Sequence, residues 1–129
     1  MIRYEEAPDI REMARDIVEK LDMNHIDFER VIFLRSFGSG SKNTIARCHA
    51  LPRVWQKGLN IRAHYIIEVI SENFDSMEED EKVEILIHEL MHIPKSFGGG
   101  FRHHKPYVTR RKVKRMFEKY KKSRLESVI

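Results

Sequence analysis

Four of the seven histidines crowd between positions 88 and 104: His88 and His92 in the run His88-Glu89-Leu90-Met91-His92, then the pair His103 and His104. On a helix, residues four apart lie one turn apart on the same face, so both imidazoles of the first run can reach one metal ion. Glu89 is offset by about 100° around the helix axis, which turns its carboxylate away from direct ligation and toward a water on that ion, where a general base is needed. The spacing is the HExxH pattern of zinc hydrolases. The chemistry it predicts is attack by a zinc-activated water on a polarised peptide carbonyl, with Glu89 taking the proton and returning it to the leaving amine.

A catalytic zinc keeps three protein ligands and one open position, so a third ligand must come from outside this run. The metzincin pattern would need a glycine at 95 and a histidine at 98, where the chain has Lys95 and Gly98. The gluzincin pattern needs a glutamate on the next helix, and Glu118 is the one carboxylate between Pro94 and Lys122. His104 is the expected ligand: it follows the turn Gly98-Gly99-Gly100 and precedes a helix start, so its side chain can point back over the metal helix. His103 is the alternative, and Glu118, far down a basic surface, is the third candidate. Tyr107, one turn after His104, and the unused histidine are candidates for an oxyanion partner.

The elements that must position these groups can be read from the rest of the chain. Its 129 residues are expected to form one domain, residues 1–129, of the α+β class. A 41% hydrophobic and 34% charged composition is that of a soluble globular protein. No apolar run approaches the roughly 20 residues of a membrane span, and the first 23 residues are charged throughout, so neither an anchor nor a signal peptide is expected. The lone Cys48 excludes an internal disulfide framework and fits a reducing, cytoplasmic setting. It reads as a small buried residue on a strand.

Pro8 suits a first helical turn, and Ile10, Met13, Ala14, Ile17, Val18 and Leu21 repeat on one face, which predicts a helix over 8–23. A β-favouring run at 31–34 and another at 44–49 flank Gly38-Ser39-Gly40-Ser41 and predict a hairpin. That loop lacks the lysine and hydroxyl of a P-loop, so phosphate binding is not expected of it. A short helix over 52–57 would place Trp55 as a core anchor. Residues 64–70 predict the third strand of a small sheet, lying beside the cleft where it could pair with an extended peptide, with His64 at its end rather than on the metal. Ser76 and Glu79 read as a capping box opening the metal helix, 77–93, whose core stripe is Val83, Leu86, Ile87 and Leu90. Pro106 is expected to begin a basic C-terminal helix in which Val113, Met116, Phe117 and Tyr120 share a face.

The run HELMHIPKSFGGGFRHHKPY, within Val83 to Tyr107, resembles the small metallopeptidases of archaea and phages, and more distantly the SprT-like zinc peptidases. Upstream, the stretches from Ala46 to Trp55 and from Tyr65 to Val69 resemble the archaeal group too, so the likeness covers about 44–120. It implies a minimal zincin-like domain, a small sheet over an active-site helix, in which His88, His92 and a third histidine after the loop hold Zn2+. In SprT-like proteins the third histidine precedes a glycine. Lys105 stands there instead, and the doubled histidine leaves two registers.

Charge is unevenly spread. Residues 1–100 carry 13 basic and 18 acidic side chains, and residues 101–129 carry 11 basic and 2 acidic. The reading that follows is a zinc metallopeptidase acting on a peptide or protein substrate. The basic tail motivates contact with nucleic acid, either by a guided peptidase or by a binding protein whose zinc is structural. The latter is disfavoured because structural zinc is usually closed by four ligands rich in cysteine. A zinc hydrolase of a nonpeptide amide is the other enzyme reading.

Overall fold

A computed structural model describes residues 1–128 and shows an α+β architecture of five helices and a four-stranded mixed sheet. In chain order the elements are β1 (Arg3–Glu6), α1 (Pro8–Lys20), β2 (Val31–Phe37), β3 (Ala46–Ala50), α2 (Arg53–Leu59), β4 (Tyr65–Ile70), α3 (Ser71–Phe74), α4 (Glu79–Met91) and α5 (Arg110–Val128). Among the described residues no helix is long and apolar enough to cross a membrane.

The strand order is β1-β2-β4-β3, with β2 and β4 parallel and both outer pairings antiparallel. The expected hairpin between the second and third strands does not form, because β4 inserts between them. Burial explains the order. Tyr65, Ile67, Glu68, Val69 and Ile70 of β4 are all buried, so both faces of that strand are covered, as a central strand requires. In β3 half-buried residues alternate with exposed ones, which suits an edge. The sheet also has a strand more than the three expected: β1 pairs with β2 through Arg3 to Glu6, yet all four of its residues are exposed, so no apolar alternation marks it.

Helix α1 packs Ile10, Ala14, Ile17 and Val18 inward and stops three residues earlier than its apolar face suggests, since Asp22 takes a left-handed conformation at φ 52°. Helix α4 starts at Glu79, two residues later than expected. Glu78 is its N-cap in place of Ser76, and the Glu78 amide donates to Glu81 Oε1 at 3.1 Å within a reciprocal box. Helix α5 starts at Arg110 and not at Pro106. Thr109 provides the cap, its hydroxyl accepting from the Lys112 amide at 3.2 Å.

The core lies between the sheet and the helices α1, α4 and α5. Leu86, Ile87 and Leu90 meet Tyr65, Ile67 and Val69 there, and Val113 and Tyr120 close it from α5. Tyr120 donates to Asp16, tying α5 to α1. Trp55 is no core anchor: it is 57% exposed on α2, a helix that buries none of its residues.

Candidate metal centre

Helix α4 presents His88 and His92 one turn apart at the end of its amphipathic run, and the segment after it folds back over them. Two contacts fix that return. The Arg102 amide donates to the His92 carbonyl at 2.8 Å, and the hydroxyl of the buried Tyr65 bridges the Gly99 amide, at 3.0 Å, and the Gly100 carbonyl, at 2.7 Å. His104 is thereby carried over the helix. The imidazoles of His88, His92 and His104 form a triangle with ring centroids 4.9 to 5.2 Å apart, and each offers a ring nitrogen within 4.8 Å of the other two. Such a cluster could hold a metal ion.

The ring tautomers suit that role. His92 Nδ1 faces the Arg102 carbonyl, which can only accept, so the proton sits on Nδ1 and the Nε2 lone pair is free for a cation. Phe101 stacks on the same ring at 4.4 Å between centroids and 12° between planes, which fixes its orientation. Burial, helped by His92 and His104 alongside, pushes His88 down to about 4. Burial also lowers His92 against the opposing pull of the Arg102 carbonyl. Both rings are therefore neutral at pH 7, the form that ligates metal. His88 Nε2 and His104 Nε2 lie 3.3 Å apart. Three imidazoles converging in this way fit a divalent cation.

Glu89 is only 7% exposed, and one of its carboxylate oxygens lies 4.0 Å from His88 Nε2. Burial pushes its carboxyl up to about 7, with the Cys48 backbone amide pulling the other way. A carboxylate poised near neutrality is suited to taking and returning a proton. Cys48 is half-buried on β3 against the same cleft, and burial followed by the Glu89 charge pushes its thiol up to about 12, so it stays protonated.

These groups line a cavity of about 520 Å³. Every residue from Asn43 to His49 borders it, odd and even alike, so β3 meets the cavity through its backbone edge rather than through one face. The 64–70 strand cannot offer such an edge, since β4 is hydrogen-bonded on both sides.

The other sequence-derived candidates fall outside the cluster. His103 is exposed and meets Phe101 edge-on at 5.9 Å; Glu118 is exposed on α5. Tyr107 is 45% exposed with Arg102 over its ring at 5.3 Å, away from the cavity wall. His64 precedes β4, and its Nδ1 donates to the Arg62 carbonyl at 2.8 Å. Sequence reasoning missed Tyr65, Phe101 and the β3 edge. The first two carry no motif, and an edge is a property of strand order rather than of residue type.

The family model described as "Putative phage metallopeptidase" matches residues 2–121, and the chain belongs to that family. No match to the chain is found among curated proteins or among solved structures.

Proposed function

We propose that the chain works as one zincin-like metallopeptidase domain, with zinc held by His88, His92 and His104 and with Glu89 as general base. The observation that carries this reading is the convergence of three imidazoles and one buried carboxylate on an open cleft bordered by a strand edge. Zinc is favoured because three protein ligands that leave one position open are the set a catalytic zinc takes, and His88 Nε2 and His104 Nε2, 3.3 Å apart, are close enough to share one ion. When bound, the ion supplies Lewis acidity toward a water and a substrate carbonyl. The remaining work belongs to the chain. The outward backbone of β3 aligns an extended peptide by strand addition. Glu89 takes the proton of the attacking water and delivers it to the leaving amine, while the Arg102 carbonyl and Phe101 hold His92 in place. The one cysteine fits a cytoplasmic setting.

A nonpeptide amide would need the same groups, and the strand edge is what favours a peptide. A structural zinc is disfavoured because three ligands on an open cleft leave a coordination position vacant. One observation favours an additional contact with nucleic acid. Arg111, Arg115, Lys119 and Lys122 are exposed on α5 without ion-pair partners among the described residues, whereas Lys114 and Lys121 pair with Glu84 and Asp80. Such binding would weaken steeply with salt and show little sequence preference.

Zinc content after dialysis tests the ligand set. The His88→Ala, His92→Ala and His104→Ala variants should lose the metal, and His103→Ala should keep it. A reversed order between the last two would assign the third position to His103.

A further inference from the structure

The cleft does not end at the histidines. A second cavity of about 550 Å³ opens between α4 and α5, and Ile85, His88 and His104 line both it and the cavity along β3. A chain that follows β3 and crosses the histidine cluster therefore enters this second space directly.

Its walls have a distinct chemistry. Ile85, Val108 and Val113 form an apolar floor, and the latter two are buried, so packing of the core fixes its shape. Lys105, Arg110 and Lys114 stand around it. Lys114 is neutralised by Glu84 at 3.3 Å, but Lys105 and Arg110 have no ion-pair partner among the described residues.

We infer that this cavity is a side-chain specificity site, which takes an apolar residue of the substrate next to the scissile bond and favours a carboxylate just beyond it. The inference rests on the peptidase reading of the histidine cluster. An apolar floor gains by excluding water from a leucine- or phenylalanine-sized group and gains little from alanine. Two unpaired cations at its margin attract an acidic neighbour and repel a basic one.

The test uses the full-length, zinc-loaded Glu89→Gln variant, so that binding is read without turnover. The probe is a fluorescein-labelled octapeptide with one leucine followed by two aspartates in a glycine and alanine background. Anisotropy titration should show binding that weakens about tenfold or more when the leucine becomes alanine, and that weakens again when the aspartates become lysines. Adding Lys105→Glu and Arg110→Glu to the protein should reverse the preference between the aspartate and lysine peptides. No binding, equal binding of all three peptides, or an unchanged order in the charge-reversed protein would overturn the inference. Failure of the wild-type protein to cleave a peptide that binds with these preferences would instead count against the peptidase reading and leave the side-chain site standing.

Discussion

The Tyr65 hydroxyl donates to the Gly100 carbonyl at 2.7 Å from the centre of the sheet, so a core strand holds the loop that delivers His104. Burial raises the Tyr65 phenol, which therefore remains a donor across the physiological range. Groups that orient a ligand from behind typically contribute ten- to a hundredfold in metal affinity. Tyr65→Phe should lower zinc affinity by about tenfold while costing about 1 kcal/mol in stability. Competition with a chromophoric chelator, set beside a urea melt, reads both. An unchanged zinc affinity would show that the loop is held by its other contacts.

Gly99 has φ 99°, and a Cβ there would lie 2.3 Å from Gln56 Nε2. The Gln56 amide can swing away, but the backbone conformation cannot be relieved so cheaply. Gly99→Ala should thus destabilise the protein by about 1–3 kcal/mol and loosen zinc binding. Adding Gln56→Ala should recover only part of that. Full recovery in the double variant would place the whole cost in the side-chain clash.

The two histidines of the helix were legible because helical spacing is local: four residues on, the same face returns. The inward faces of α1, α4 and α5 were legible for the same reason. The strand order was not. Residues 31–34 and 44–49 look like neighbours in a hairpin, and only the burial of both faces of β4 moves that strand between them. Trp55 shows the limit of residue type, since a large apolar side chain need not be buried when its helix lies on the surface. The Glu78 cap shows a similar limit: Ser76 is the better capping type, but the chain enters the helix two residues later.

Arg35 of β2 joins α1 to the C-terminal end of α3 through Asp9, at 2.6 Å, and Asp75, at 3.0 Å. The Arg35 hydrogen bonds hold Asp9 below its usual value of 3.8. Burial pulls Asp75 upward but is outweighed by its bonds to Arg35 and Ser71, so that carboxyl is also lowered. Folded values below unfolded ones mean that this stabilisation is present above the unfolded aspartate pKa and fades as pH falls through the lowered folded values. Arg35→Met should therefore reduce stability at pH 7 and have little effect near about pH 2. Parallel pH-dependent melts of the two proteins would show this, and an equal loss at both pH values would contradict it.

In the proposed mechanism Glu89 moves protons at a metal held by the histidines and does not itself hold the metal. The most direct measurement is zinc stoichiometry alongside cleavage of a casein-type substrate, for the wild type and for Glu89→Gln. One equivalent of zinc is expected in both proteins, with a loss of cleavage of about a hundredfold or more in the variant. Full cleavage by Glu89→Gln, or loss of its zinc, would contradict it.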